Sequence, residues 1–536
     1  MRILLIIFFL FNIENLFSQS FIFPQDYFFD QENQRNILND SNNIVIHTGI
    51  KPILNARLIY GQRNEDSFFK NRKWFGRKIF NEDLIELKHT DYQSGWPRKF
   101  NLYISPLIHF QGGIDLKDST DEKLLFNSRG VLVKGNIDKK FYFESVFLEN
   151  QATLPQYLDQ FVQQTKIVPG YGRWKKFKTN GYDFAYSSGY IAYQINRNLI
   201  LQLGHGKHHI GNGYRSLLLS DNTFNYPYLR INTNFNKGKF QYTSIYAVLM
   251  NLTAGDVTTP IGTEPLFQKK PAAFHFLSWS ASKFLNVSLF QSLIWTKADS
   301  VNRIKLAPGY FNPLIFSNIA SYGLQNQNNI VTGLDIRITP FKNFIAYGQI
   351  VLDEFGEKKS VSNKHGWQAG VKYYNAFGIK NLFLNAEMNT VRPFTYSSTF
   401  QGQSYTHYNQ SLAHPLGANF KELVGIIQYN YKRIYLTAKV NYIEQGINLG
   451  TNYGQDIFVS DFSPALNSQT QNQGIQSSTK IAECRVGYLI NPKYNLTIFA
   501  GGIYREINVE VLYGNDITQW LFVGLKTTLF NNYFDF

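Results

Sequence analysis

Apolar and polar residues alternate with period two through most of the chain. Over Arg433–Tyr442 one face carries Ile434, Leu436, Ala438, Val440 and Tyr442, and the other Arg433, Tyr435, Thr437, Lys439 and Asn441. Thr332–Thr339 sets Leu334, Ile336 and Ile338 against Gly333, Asp335, Arg337 and Thr339. Lys380–Asn389 sets Leu382, Leu384, Ala386 and Met388 against Phe383, Asn385, Glu387 and Asn389. Successive side chains of a strand point to opposite faces, so each segment predicts a strand with one apolar and one mostly polar face. In a soluble barrel the apolar face would turn inward. Most charges here sit on the other face, which fits an exterior in lipid and a wet interior. The alternation is not clean everywhere: Phe141–Glu149 mixes faces, and Gln291 interrupts an apolar row.

The connections between these segments switch strictly between short and long. The short set is Asn136–Lys139, Asn196–Asn198, Asn236–Lys239, Ala281–Lys283, Pro340–Asn343, Ala376–Lys380, Tyr431–Lys432 and Asn491–Tyr494. The long set is Leu116–Glu122, Glu149–Gly181, His205–Asn225, Thr253–Lys270, Lys297–Asn328, Phe355–Lys364, Asn389–Lys421, Gln445–Ser477 and Ile507–Thr518. Eight short and nine long connections join eighteen strands. Tight turns on one side and loops on the other are how an antiparallel barrel crosses and recrosses a membrane. The fold class read from this rhythm is all-β, a transmembrane antiparallel barrel of about eighteen strands over residues 99–536.

Composition agrees. Aromatic residues make up 16% of the chain, and such barrels place them in girdles at the two headgroup levels. Mean hydropathy is −0.26, and no apolar run approaches the ~18 residues of a spanning helix. The one notable run is N-terminal: Arg2, then Ile3–Phe11, then Leu16-Phe17-Ser18. It reads as a secretory signal over residues 1–18, cut after Ser18 or Ser20, which implies outer-membrane delivery with both termini periplasmic. No Cys follows the site, so lipoprotein processing is not expected. The single Cys484 falls by parity on the lipid face with Ala482, Val486 and Tyr488 and reads as a small apolar residue.

Residues 19–98 have weaker periodicity and read as a small periplasmic segment or a partial plug. They hold a polar, helix-compatible stretch, Asp26–Asn39, and a basic-aromatic run, Lys70–Lys78, suited to lipid headgroups or simply solvated. Asn467–Ser478 is almost wholly Asn, Gln, Ser, Thr and Gly and predicts a loop tip. The last alternating segment, Trp520–Phe530, is followed by Tyr533-Phe534-Asp535-Phe536, an aromatic C-terminus resembling the recognition signal of outer-membrane barrels. Parity slips after Phe530, so the last six residues read as a tail.

With 53 Lys and Arg against 38 Asp and Glu, the net charge is +15. That excess favours acidic partners, namely lipopolysaccharide phosphates and acidic surface polysaccharide, and a secreted barrel gives no reason to expect nucleic acid.

Candidate chemistry sits in three long loops. Leu154–Lys178 predicts a short helix, Gln156–Thr165, and then carries Arg173, Trp174 and Lys175. Gly204–Asn225 reads GHGKHHIGNGYRSLLLSDNTFN and supplies His205, Lys207, His208, Tyr214, Arg215 and Asp221. Asn389–Lys421 gathers His407, Tyr408, Asn409, His414 and Asn419. Long ordered loops are commonly functional. His205, His208 and His209 lack the nearby carboxylate or Cys that a metal set needs, so no metal and no cofactor is expected. The spaced glycines Gly204, Gly206, Gly211 and Gly213 have no Walker lysine or Rossmann context and read as turn glycines. Ser216 or Ser220 with a loop histidine would need an oriented third group for hydrolysis, and none is evident, so no enzyme is expected. Cations beside flat rings suit sugar acids, because Arg forks pair with carboxylates and rings stack on pyranose faces. Within Gly204–Asn225, Leu217–Leu219 should tuck inward. Arg215 should meet either a uronate or the neighbouring Asp221.

IGNGYRSLLLSDN followed by YPYLRINTNF, with GYFNPLIF, NNIVTGLDIRI, AYGQIVLDE and HYNQSLAHPLGANFKE, resembles the Wzi-type capsule-assembly outer-membrane proteins, in the RemB-like gliding-motility branch. The resemblance spans roughly Tyr182–Glu422. It implies an eighteen-stranded barrel with a small periplasmic helical bundle, acting as a lectin that attaches capsular polysaccharide. The expected function is therefore polysaccharide binding or anchoring at the cell surface, with a role in gliding or adhesion and motility or secretion machinery among its partners. The alternative is a porin-like channel for acidic solutes, since a charged lumen passes solutes unless the loops fold inward.

Overall fold

The computed structural model describes residues 26–28, 30–31, 34–35, 45–54, 84–91, 98–118, 122–138, 140–254, 267–295, 311–317, 328–355, 363–448, 450–461, 471–492, 494–510, 516–527 and 529–536. The signal peptide, the run Lys70–Lys78 and residues 467–470 of Asn467–Ser478 lie outside them.

Eighteen antiparallel strands close into a barrel. They are β1 Arg98–Asp115, β2 Lys123–Ile137, β3 Phe141–Thr153, β4 Gly181–Asn196, β5 Leu199–Gly206, β6 Tyr226–Phe235, β7 Phe240–Ala254, β8 Phe267–Ser280 and β9 Leu285–Ile294. The circuit continues with β10 Asn329–Ile338, β11 Phe344–Phe355, β12 Asn363–Tyr374, β13 Leu382–Val391, β14 Phe420–Tyr431, β15 Ile434–Ile447, β16 Ile475–Asn491, β17 Leu496–Val509 and β18 Asp516–Thr527. Closure is β18 on β1, from Trp520↔Asp115 to Lys526↔His109. That leaves the first half of β1 without a partner, and the strand Ile85–Asp91 fills the gap, from Ile85↔Ile104 to Asp91↔Arg98. Among the described residues, this pairs the backbone edge of β1 at that level.

Period-two alternation translates directly into in and out. On β15, Ile434 and Val440 face outward at 49% and 56% exposure while Asn441 faces the lumen. On β18, Leu521 and Val523 face out, and Trp520 and Phe522 face in. Cys484 is exposed on the outer face. Short turns reverse the chain at one end, several through left-handed Asp and Asn (Asp138, Asn236, Asn343, Asn375, Asn495), residues that tolerate positive φ. Near that end outward rings form an arc: Phe235 on Phe240 at 5.2 Å, Phe240 on Trp279 at 6.0 Å, Phe341 on Phe344 at 4.8 Å and Tyr373 on Phe377 at 5.6 Å. This is the interfacial girdle expected of a barrel in a bilayer.

The lumen is where the structure departs from a water-filled pore. On β2–β4 the inward residues are apolar (Phe126, Val146, Leu148, Phe184, Tyr186), because helix α1, Gln156–Thr165, and the C-terminal tail pack there. The helix bounds agree with the sequence expectation, and Leu158 and Val162 are fully buried. The tail leaves the barrel wall after β18 and turns into the lumen: the Phe530 ring stacks on Tyr186 at 4.3 Å, and the Tyr157 hydroxyl donates to the Phe534 carbonyl at 2.8 Å. Part of the N-terminal segment is inside as well. Tyr27 packs edge-on to Tyr214, Ile50 pairs with Ile210, and Thr48 donates to Asn212.

Candidate binding site

Gly204–Asn225 does not stand outside the barrel. From Lys207 to Asn225 every residue except Phe224 is buried. Leu217, Leu218 and Leu219 are the loop's apolar anchor, each fully buried against Tyr226, Tyr396, Tyr405 and Leu412. The Tyr396 hydroxyl donates to the Leu217 carbonyl at 2.7 Å and the Tyr405 hydroxyl to that of Leu218 at 2.6 Å. Five consecutive strands then bond the loop. Asn212 donates to Asp335 of β10 at 3.1 Å, Gln349 of β11 to the Ile210 carbonyl at 2.9 Å, and Gln368 of β12 to the Arg215 carbonyl at 3.0 Å. Glu387 of β13 accepts the backbone N–H of Tyr214 at 2.7 Å and of Arg215 at 3.0 Å, and Glu422 of β14 takes the Arg215 side chain. The inward charges of the wall thus bind a plug.

Arg215 requires a correction. Its guanidinium is 1% exposed, lies between the rings of Tyr214 and Tyr533, and donates to Glu422 at 2.8 Å and to Asp535 at 3.2 Å. Its partner is not Asp221, and the fork offers nothing to a polymer outside. Asp221 instead accepts from the Tyr533 hydroxyl at 2.8 Å and from Asn531 at 2.7 Å. Burial opposes its charge, but His209, Lys207 and Tyr533 outweigh that and hold its pKa at about 2.

Seven other expected site residues are also internal. Besides Asp221, Lys207 donates to the carbonyls of Gly170 and Thr223, stapling two loops, and burial lowers its pKa to about 8. The His208 ring bonds the Tyr226 hydroxyl at 3.1 Å. Tyr214 donates to Asp535 at 2.8 Å. Burial lowers the pKa of His407 to about 3, and the neutral ring spans the Met250 N–H at 3.0 Å and the Asn225 carbonyl at 3.1 Å as a strut. His414 bonds Glu422 at 2.7 Å, and Asn419 donates to the carbonyls of Gly446 and Gln473. These groups were expected to meet a glycan because they are polar and clustered; they cluster because a plug crossing a barrel needs its polar atoms satisfied. Ser216 donates to the Ile210 carbonyl, and Ser220 accepts the Asn222 N–H, so both hydroxyls serve loop geometry.

Four expected residues reach the long-loop rim: Arg173 and Lys175 are exposed, and His205 and Trp174 half-buried. Lys175–Phe177 is a strand extension paired with β4 from Lys175↔Asp183 to Phe177↔Gly181, which fixes the run. The Arg173 guanidinium lies 5.0 Å from the Phe267 ring, and Trp174 stands edge-on to Tyr182 at 4.7 Å. Beside Gly172, the Phe224 ring meets Tyr408 at 4.9 Å and His205 at 5.8 Å. Lys176 and Lys178 are exposed next to them. The result is a rigid rim of half-exposed rings flanked by cations, able to stack on sugar faces and pair with carboxylates. Phe224 and Phe267 were missed as contacts. Phe224 is the one loop residue of 207–225 that breaks the burial pattern, and nothing in spacing alone marks it.

No family model matches the chain, and no curated protein does. Among solved structures, Wzi of Escherichia coli, an outer-membrane protein involved in group 1 capsule assembly and described as a carbohydrate-binding β-barrel, is 11% identical over 79% of this chain and 84% of its own, with a TM-score of 0.49. OccAB2 of Acinetobacter baumannii is 9% identical over 80% and 97%, with a TM-score of 0.43. OprD of Pseudomonas aeruginosa is 11% identical over 79% and 94%, with a TM-score of 0.40.

Proposed function

We propose that the protein is an outer-membrane barrel, closed by its own loops and tail, that binds acidic surface polysaccharide at the long-loop rim. One observation carries the reading: the loop best placed to gate a pore is bonded to five strands, while the Arg173–Lys178 run is held outside among half-exposed rings. Both halves argue for a surface binder over a channel. The stretch IGNGYRSLLLSDN, which resembles the capsule-assembly barrels, is the core of the plug, so the resemblance speaks to closure more than to ligand contact. Capsule attachment or adhesion during gliding is the cellular role this reading supports.

Two measurements test it together. Purified protein in a planar bilayer should give no steady conductance, and it should retain an acidic polysaccharide that Arg173→Ala with Lys175→Ala releases. Open-channel current from the wild type would favour the porin reading. Full retention by the double variant would remove the rim from it.

A further inference from the structure

Among the described residues, nothing fills the lumen beneath the plug. A cavity of about 760 Å³ lies between the tail and the short turns, roofed by Tyr214, Tyr533 and Asp535, with Asn381, Lys432 and Asn495 at its mouth. Its charge is lopsided: seven Lys and Arg line it against three carboxylates. The carboxylates deep inside are committed. Glu483 is shared by Lys439, at 3.0 Å, and Arg485, while Asp535 accepts from Lys439 at 2.9 Å and from Arg215 at 3.2 Å.

Lys526 is different. It faces inward from β18, and among the described residues its ammonium has no salt-bridge partner; it sits 5.0 Å from the Phe499 ring. Arg485 lies 5.3 Å from the Phe522 ring on the same wall; the Phe499 and Phe522 rings are buried behind these cations, and the stacked pair His109 and Phe126, rings 4.5 Å apart, lines the space. Asp26 and Glu483 act on Lys526 only from beyond salt-bridge distance. A cation so placed in a low-dielectric lumen is costly, and an entering anion relieves that cost. The volume falls within the range of small-molecule sites, roughly 300–1,000 Å³. Flat rings beside a cation that makes no salt bridge select a ring-shaped body that carries a negative group.

We propose that this vestibule is a second binding site, open at the short-turn end, for a small ring-bearing acid: a mono- or disaccharide carrying a carboxylate or a phosphate. Lys526 and Arg485 take the anion, and the His109 and Phe126 side takes the ring. The site is independent of the rim, at the opposite end of the barrel, and stands or falls separately.

The test titrates the purified full-length protein with glucuronate, glucose 1-phosphate and glucose by calorimetry. At least one anion should bind saturably and about tenfold more tightly than glucose, as expected when a charge-assisted bond is added. Lys526→Gln should weaken that anion by about fivefold or more, Lys526→Arg should restore most of it, and Arg173→Ala should leave it unchanged. Unaltered electrophoretic heat-modifiability shows that each variant has folded. Equal binding of glucose and both anions, no saturable binding of either anion, wild-type affinity in folded Lys526→Gln, or loss that follows Arg173→Ala instead would each overturn the proposal. The preferred anion distinguishes a carboxylate ligand from a phosphate one.

Discussion

Two long loops, 154–180 and 207–225, draw on the same residue types: glycines, lysines, an arginine beside an aromatic ring. Arg173 lies 5.0 Å from Phe267 and Arg215 lies 4.9 Å from Tyr214. Yet Arg173 is exposed and Arg215 is buried. The loops differ in what waits for them. Three consecutive leucines pull the second loop into the lumen, where Asp335, Glu387 and Glu422 face it from the wall. The first loop spends its apolar residues on helix α1, and its Arg173 stays exposed at the rim. Whether a loop cation ends buried or exposed is therefore decided across the barrel, by groups far away in sequence.

The strongest way to break this contrast is Arg215→Ala. It leaves Glu422 buried without its guanidinium and removes one of the two cations that hold Asp535, and breaking a buried pair in that way costs about 3–5 kcal/mol. The expected outcome is a clear drop in the heating temperature at which the folded band converts on gels, with conductance appearing as the plug loosens. A variant that keeps both wild-type heat-modifiability and a closed pore would show that the ion pairs do not hold the plug.

Leu218→Ala probes the apolar half of the same lock. Leu218 is fully buried, and its side chain lies close enough to Gly333 that a Cβ there would fall 2.3 Å from it. Truncation should cost roughly 3 kcal/mol through lost burial and the cavity left behind. The cost should read out as a lower conversion temperature without loss of the Arg215 pairs. Gly333→Ala should also destabilise, by overpacking the same spot. A stable Leu218→Ala protein would mean that hydrogen bonds alone anchor the loop.

The barrel was legible because its code is local: alternation fixes which face a residue takes, and loop length fixes which end a connection occupies. Eighteen strands, the outward place of Cys484 and the inward tuck of Leu217–Leu219 all follow from neighbours in sequence. What was not legible is pairing over long separations. Arg215 is 207 residues from Glu422 and 320 from Asp535, and nothing near Arg215 distinguishes a fork that meets a sugar acid from one that meets the tail. Charges on the inner face were read as solvated because an empty lumen was the simplest interior. They are in fact the sockets of the plug. Glu387 and Glu422 could have been nominated by parity alone, whereas Asp535 could not, because it lies where parity fails.

Asp221 gives a smaller and pH-dependent test. Its pKa is held at about 2, below the ordinary value near 3.9, so it contributes stability above about pH 4 that is lost as pH falls through 2; two units correspond to about 2–3 kcal/mol. Wild type should exceed Asp221→Asn in conversion temperature at pH 6, and the gap should close between pH 4 and 2. A gap that stays constant over that range would place the carboxylate's contribution elsewhere.

Arg173→Ala should do least to the fold and most to the ligand. The side chain is exposed and covers the Phe267 ring, so truncation removes a cation–π contact worth only about 0.5–1 kcal/mol at an exposed site and leaves the plug untouched. Heat-modifiability should stay at the wild-type value. Affinity for an acidic polysaccharide should fall by about fivefold, near 1 kcal/mol, the size of one exposed contact with a charged group. Because that contact is solvent-accessible, the wild type's advantage should shrink as salt rises from ~0.05 to 0.5 M, where the screening length falls from ~14 to ~4 Å. An advantage that persists undiminished at high salt would assign the contact to stacking on Phe267, Phe224 and Tyr408. Arg215→Ala releasing polysaccharide from a barrel that keeps its heat-modifiability, with Arg173→Ala retaining it, would reverse the contrast between the two loops.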